Sequence, residues 1–119
     1  RKIAAVAEAH HKSLVPHNPL SPVMTNAVLH FAAAVDNIAI CEYPNPYAAS
    51  TADHLTGSGA TLRQCDMVDH IPELKDGYLP VPEEPGIGIG LIPDIEEKFP
   101  FRPHQLMTRL NMDGSVCDQ

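Results

Sequence analysis

The chain has 119 residues and a formal net charge of -7, so it lacks the basic face that the phosphate backbone of a nucleic acid requires. Its three cysteines are an odd number without close spacing, which argues against a disulfide framework and a CxxC zinc site. No apolar run approaches the roughly 20 residues that span a bilayer. We therefore expect a cytoplasmic protein with free thiols, no nucleic-acid partner and no membrane association.

The composition predicts a thin hydrophobic core. Aromatic residues make up 5% of the chain, Trp is absent, and much of the 44% apolar content is alanine, which gives little side-chain volume for packing. The chain also opens on Arg1 with a helix pattern already under way. We therefore expect it to be a piece of a longer protein.

The first half of the chain alternates helix patterns with short apolar runs. Ile3 and Val6 fall at helical spacing, which predicts a helix that stops by about His11. Residues 13–15 predict a short buried strand, which ends at Pro16 because proline has no N–H for a ladder bond.

A second helix and strand follow at once. Ser21 is a typical N-cap and Pro22 suits the first helical position, so a helix is predicted from Pro22 to about Val35. Residues 38–41 form a continuous apolar run, as expected of a parallel strand buried on both faces. The order helix, strand, helix, strand predicts an α/β fold, either an α/β barrel or an open doubly wound sheet.

The second half is rich in proline and predicts short pieces. Residues 44–66 are predicted to be a long polar loop, and residues 75–77 a turn between extended pieces. A short helix is predicted over 94–99 with Asp94 as its cap, and a hairpin over 106–117 that turns at 113–114. The alternating glycines of residues 86–90 indicate a backbone that passes close to another surface.

Two ionisable residues end the two predicted strands, His17 after the first and Glu42 after the second. Parallel strands carry functional groups at their carboxyl ends, so both side chains should project into the same crevice. An imidazole can take a proton from carbon if a carboxylate orients its other nitrogen. His17 could equally be a polar loop residue that caps a helix, and Glu42 a helix cap or salt-bridge partner.

Several blocks of sequence carry a family resemblance. They are KIAAVAEAHH, VPHNPLSPV, NIAICEY, GYLPVPEEPGIGIG and RLNMDGSV, in that order along the chain. In them the chain resembles the C-terminal part of the mandelate racemase and muconate lactonizing enzyme group of the enolase superfamily, and in particular its galactonate and mannonate dehydratases. It departs from that pattern at Gly90, where the family has an acidic residue, and in lacking a tryptophan near its end.

The resemblance implies the last two strands of a (β/α)8 barrel and a C-terminal return to a capping domain. Residues 1–66 would be the barrel segment, and residues 67–119 an extension that packs on the barrel and cap. A complete barrel takes about 250 residues, so the remainder of the barrel is an expected partner, and this chain alone should be inactive. The intact protein would commonly be a homo-oligomer.

The resemblance also implies roles for individual residues. His17 would be the general base that removes the proton α to a carboxylate, and Glu42 would hydrogen-bond the enediolate. Both residues, with Asn18, would contact a sugar acid, and loss of the β-hydroxyl would give a 2-keto-3-deoxy acid. The Mg2+ ligands, the dyad aspartate and the general acid would come from earlier strands, so no metal ligand is predicted in this chain.

Two other interpretations remain open from the sequence. The intact protein could be a racemase or cycloisomerase of the same superfamily. The chain could also be a non-catalytic fragment or interaction module that keeps barrel-derived sequence.

Overall fold

The structure is a computed structural model that describes residues 1–19, 21–46, 63–101 and 110–115. Helix α1 spans Lys2–Ala9 and helix α2 spans Pro22–Ala33. A 3-10 turn at Gln64–Met67 and a short helix α3 at Ile95–Lys98 follow. None of the helices in these ranges is long and apolar enough to cross a membrane.

The start of α2 follows the local signals in the sequence. Ser21 has an extended backbone (φ -140°, ψ 164°) and its hydroxyl accepts a hydrogen bond from the Met24 N–H at 3.4 Å, while Pro22 occupies the first turn. The predicted start at Pro22 is therefore confirmed. The helix ends at Ala33, two residues before the predicted Val35.

The two predicted strands pair in parallel, but over a single bridge. Leu14 bridges Ile38, with the Leu14 N–H donating to Asn37 O at 2.8 Å and the Ala39 N–H donating to Leu14 O at 2.9 Å. Pro16 cannot extend this ladder because it has no N–H. The parallel direction is confirmed, while the predicted extents of 13–15 and 38–41 are wrong, since one residue of each run is bridged.

Asn37 ties α1 to this bridge. Its Nδ2 donates to Ala4 O at 3.0 Å and to Lys12 O at 3.1 Å. Ala4 is also the buried residue of α1, whereas Ile3 and Val6 are exposed. The small side chain at residue 4 thus lets α1 approach the bridged segments closely.

The core within the described ranges is small and partly polar. Its buried hydrophobic residues are few, and three polar side chains are buried with them: Ala4, Val28, Leu29 and Val68, with Asn18, Thr25 and Asn26. Helix α2 buries one face here, which carries Pro22, Thr25, Asn26, Val28 and Leu29. A composition poor in aromatic residues accounts for the thin packing.

The glycine-rich run docks on α2 through Asn26. The Asn26 Nδ2 donates to Gly88 O at 3.0 Å and to Ile87 O at 3.2 Å. A Cβ at Gly88 would lie 2.6 Å from Pro82 Cβ, and one at Gly90 would lie 2.6 Å from Asp69 Oδ2. The predicted close approach of this run to another surface is confirmed.

The turns of the second half also follow their sequence signals. Lys75 and Tyr78 exchange both backbone hydrogen bonds, at 2.9 and 2.8 Å, around Asp76 and Gly77, which have positive φ of 51° and 83°. Both angles suit the tight turn that was predicted at 75–77.

Two further predictions are partly met. Helix α3 lies within the predicted 94–99, but the Asp94 side chain makes no capping bond, because its φ of 62° is left-handed rather than extended. The predicted hairpin turn is present, with the Asn111 N–H donating to Ser115 O at 2.8 Å. Residues 106–109 and 116–117 of that hairpin lie outside the described residues, as do residues 47–62 of the predicted loop.

Replacing Asn26 with alanine should destabilise the fold. Asn26→Ala leaves the buried Gly88 carbonyl without its donor, which typically costs about 1–3 kcal/mol. Urea unfolding, followed by circular dichroism, measures the change in unfolding free energy. The control is Asn111→Ala, which removes an amide from an exposed turn and should cost less than about 0.5 kcal/mol. Equal losses from the two variants would contradict the docking role of Asn26.

Candidate active site

His17 and Glu42 meet at one end of the two bridged segments. The bridge between Leu14 and Ile38 lies just before both residues, so the parallel direction carries the two side chains to the same end. His17 Nδ1 lies 2.8 Å from Glu42 Oε2. The His17 side chain is 78% exposed and that of Glu42 43%, so a small molecule can reach the pair.

Asn18 holds Glu42 at two points. The Asn18 N–H donates to Glu42 Oε2 at 2.7 Å, and the Asn18 Nδ2 donates to the main-chain carbonyl of Glu42 at 2.9 Å. The Nδ2 also donates to Thr25 Oγ1 at 2.9 Å. Asn18 itself is 0% exposed. The carboxylate of Glu42 is therefore held by the main-chain N–H of a residue whose buried side chain is fixed to the first turns of α2 and to the Glu42 carbonyl.

The environment of Glu42 favours its ionised form. The Asn18 N–H lowers the pKa of Glu42 most, and the hydrogen bond from His17 lowers it further. Burial opposes these two effects, and the charge of His17 adds the smallest lowering. The carboxylate can then accept the proton of His17 Nδ1. In that arrangement the Nε2 of His17 carries a free lone pair.

Two other histidines of the described ranges, His30 and His70, have their hydrogen-bond partners elsewhere. His30 Nε2 is 3.2 Å from Ile87 O. His70 Nδ1 lies 2.7 Å from Asp69 Oδ1, an ion pair that sequence reasoning missed because the two residues follow a 3-10 turn without a strand pattern. His54 and His104 lie outside the described residues.

Thr25 is a further residue that sequence reasoning missed. It is buried in the first turns of α2, and its hydroxyl donates to Ser21 O at 3.3 Å while it accepts from Asn18. A threonine shortly after a capping serine is common at helix starts. Its link to Asn18 had no separate signal in the sequence.

The described residues contain no group of three or more His, Cys, Asp or Glu side chains that could hold a metal ion. The site in these ranges consists of one imidazole, one carboxylate and the amide that supports it. Such a set can exchange a proton and balance the resulting charge.

The chain matches known proteins over most of its length. The family model described as Enolase C-terminal domain-like matches residues 1–95. A D-galactonate dehydratase family member of Streptomyces bingchenggensis is 32% identical over 120 residues, which cover 99% of this chain and 26% of that protein. A D-mannonate dehydratase of Caulobacter sp. (strain K31) is 30% identical over 118 residues, covering 98% of this chain and 26% of that protein. The chain thus spans about a quarter of the length of these relatives.

Solved structures of enolases also match this chain. An enolase from Agrobacterium radiobacter, bound to Na and L-malate, has a TM-score of 0.69 and 30% identity, over 98% of this chain and 30% of that chain. A mandelate racemase subgroup enolase from Agrobacterium tumefaciens has a TM-score of 0.61 and 34% identity, over 82% of this chain and 22% of that chain.

These matches confirm the resemblance to the mandelate racemase group and support the barrel superfamily as the fold class. The division of residues between a seventh strand, an eighth strand and a capping return stays a prediction. On the match over residues 1–95, the chain belongs to the Enolase C-terminal domain-like family.

Proposed function

We propose that this chain is the C-terminal part of a sugar-acid dehydratase, a lyase that removes the proton α to a carboxylate and expels the β-hydroxyl to give a 2-keto-3-deoxy acid. The observation that carries the proposal is the 2.8 Å contact between His17 Nδ1 and Glu42 Oε2. The names of relatives, which include D-galactonate, D-mannonate and D-xylonate dehydratases, support the substrate class.

In this proposal His17 is the general base. Glu42 accepts the Nδ1 proton and so presents Nε2 as the group that takes the α-proton of the substrate. The imidazolium that forms is then balanced by the adjacent carboxylate. Because the His17 side chain is exposed, the substrate can approach Nε2 without a rearrangement of the chain.

Glu42 has two parts in the proposal. Its lowered pKa keeps it ionised near neutral pH, where it orients His17. As the resemblance implies, it also faces the enediolate end of the substrate, where it would hydrogen-bond a proton-bearing oxygen. Asn18 is the third residue of this group and holds Glu42 through its N–H and its Nδ2.

The proposal includes a Mg2+ ion held by carboxylates outside this chain. A divalent cation of this kind stabilises the negative charge that develops on carboxylate and enolate oxygens. The described residues supply no ligand set for it, so the roles of His17 and Glu42 are derived without it. The aspartate and general acid that the family uses would also come from the remainder of the barrel.

The wider features of the protein are part of the same proposal. Residues 1–66 would complete the barrel and residues 67–119 would pack on the barrel and cap. The intact protein would be a homo-oligomeric cytoplasmic enzyme whose partner is a small sugar acid. A racemase or cycloisomerase would use the same base and differ in the fate of the enediolate.

Replacing the proposed base should remove activity in the full-length protein. His17→Asn keeps a donor near the Nδ1 position but has no basic nitrogen, so kcat should fall by about 100- to 10,000-fold. The assay is formation of 2-keto-3-deoxy acid from galactonate, mannonate and xylonate with Mg2+, followed by NMR.

The matched control is His70→Asn, because His70 is also an exposed histidine beside a carboxylate. It should retain wild-type turnover. Normal turnover by His17→Asn would contradict the assignment of the base. Exchange or inversion at the α-carbon without loss of hydroxide would instead support a racemase.

The isolated 119-residue chain should give no 2-keto acid from the same panel of substrates. It lacks the proposed metal ligands and general acid. If His17 removed the α-proton, nothing would stabilise the enediolate that results. Product formation by this chain with Mg2+, measured by the same NMR assay, would contradict the division of the site between this chain and the remainder of the protein.

The stability of the full-length protein should depend on the ionisation of Glu42. Folding lowers its pKa from the ordinary value of 4.5, so ionised Glu42 stabilises the folded state above that pH. This stabilisation is lost as the pH falls through the lower folded pKa. It should be modest, because the side chain is 43% exposed and salt screens exposed pairs.

The measurement is urea unfolding of the wild type and Glu42→Gln between pH 3 and pH 7. The wild type should be the more stable protein above about pH 4.5, and the difference should shrink as the pH falls. Unfolding free energies that run parallel across this range would show that folding does not change the ionisation of Glu42.

A further inference from the structure

We propose that Asn18 is a positioning residue, which sets the place of the Glu42 carboxylate against His17 and does not itself touch the substrate. Its catalytic consequence rests on the proposed function, whereas its effect on Glu42 does not. Asn18 makes two hydrogen bonds to different parts of Glu42.

Asn18 fixes both the backbone and the side chain of Glu42. Its Nδ2 donates to the Glu42 carbonyl at 2.9 Å, and its N–H donates to Glu42 Oε2 at 2.7 Å. A glutamate side chain has three rotatable bonds before its carboxylate, so a bond to the carbonyl alone would leave the Oε2 atom free to move. The pair of bonds defines where Oε2 lies when it meets His17.

Thr25 fixes the orientation of the Asn18 amide. The Thr25 hydroxyl donates its proton to Ser21 O at 3.3 Å, so its oxygen faces Asn18 as an acceptor. The Glu42 carbonyl is also an acceptor, and a flipped amide would therefore place Oδ1 against two acceptors. The amide nitrogen must point to Thr25 and Glu42.

This orientation leaves no donor of the Asn18 side chain for a substrate. Both Nδ2 hydrogens are directed at Thr25 and Glu42, and the residue is 0% exposed. Its Oδ1 is buried without a hydrogen-bond partner among the described residues. A side chain with these constraints acts through Glu42, in place of the direct substrate contact that the family resemblance implies.

The pKa of Glu42 reports whether Asn18 still holds the Glu42 carboxylate in place. His17 is the titratable group that the described residues place against its carboxylate. The first turns of α2 contribute Ser21 and Thr25, which are uncharged, and the neighbouring Tyr43 directs its hydroxyl to Pro72 O at 3.1 Å. The main-chain N–H of Asn18 is the largest of the influences that lower the pKa of Glu42. Asn18→Ala keeps this N–H but removes the Nδ2 bonds that hold it in place, so the substitution should raise the pKa of Glu42.

The experiment compares Asn18→Ala with Asn26→Ala in the full-length protein. Asn26 is the control, since it is similarly buried and its Nδ2 also donates to two acceptors, but these are the carbonyls of Ile87 and Gly88 and not Glu42. Both variants should lose stability. Only Asn18→Ala should lower kcat, by up to about 100-fold for a misplaced group, and raise the pH midpoint at which the Glu42 Cδ resonance of 13C-labelled protein titrates.

A second pair of variants covers the case in which Asn18→Ala does not fold. Thr25→Val removes the hydroxyl at nearly constant shape, and Thr25→Ser keeps it. Thr25→Val should raise the Glu42 titration midpoint as Asn18→Ala does, by a smaller amount, because the bond to the Glu42 carbonyl remains. Thr25→Ser should restore the wild-type midpoint.

The outcomes distinguish a positioning role of Asn18 from direct substrate binding and from a purely structural role. A rise in KM at unchanged kcat for Asn18→Ala would show direct substrate binding and overturn the proposal. An unmoved Glu42 titration midpoint in folded Asn18→Ala and Thr25→Val, or an equal shift in Asn26→Ala, would also overturn it.

The positioning role of Asn18 can also be tested if the proposed function is wrong. If the wild-type protein dehydrates no sugar acid, the Glu42 Cδ resonance of 13C-labelled protein, assigned by its loss in Glu42→Gln, can still be titrated. A higher midpoint in Asn18→Ala than in wild type or Asn26→Ala would support the positioning role without any turnover. Equal midpoints would overturn it.

Discussion

The backbone pairing of Leu14 with Ile38 aligns two chain segments that run in the same direction and end at His17 and Glu42. A parallel pair places the carboxyl ends of both segments at one edge. A shift in register by one residue would turn the Glu42 side chain to the other face. The contact between the imidazole and the carboxylate therefore depends on two backbone hydrogen bonds made several residues earlier.

Three side-chain amides, two of them buried, hold these segments in place where apolar packing is sparse. Asn37 joins α1 to the bridge, Asn18 joins the segment before α2 to Glu42, and Asn26 joins α2 to the glycine-rich run. Each of the three has a side-chain oxygen that is buried without a partner among the described residues. A chain with few aromatic residues replaces part of its core volume with directed hydrogen bonds, and directed bonds tolerate substitution poorly.

The pair of Asp69 and His70 shows why distance alone does not define the candidate site. Its Nδ1 to Oδ1 distance of 2.7 Å is as short as that between His17 and Glu42. Asp69 is held by the Gly90 N–H at 3.1 Å, in an exposed antiparallel contact. Glu42 is instead held at its carbonyl and its carboxylate by a fully buried residue. The support behind the carboxylate distinguishes the two pairs.

The sequence by itself determined the features that depend on neighbouring residues. The serine and proline at positions 21 and 22 predicted the start of α2, and residues 75–77 predicted a tight turn, because capping and turn conformations are local properties of the chain. The order of helices and apolar runs predicted the parallel direction, and the placing of His17 and Glu42 at segment ends predicted that they would approach each other. The tertiary structure alone decided that Glu42 bonds His17 Nδ1, that Asn18 is buried beneath it and that Thr25 orients the amide. Those bonds join residues up to 25 positions apart, and their geometry is set by register and packing that no local pattern specifies.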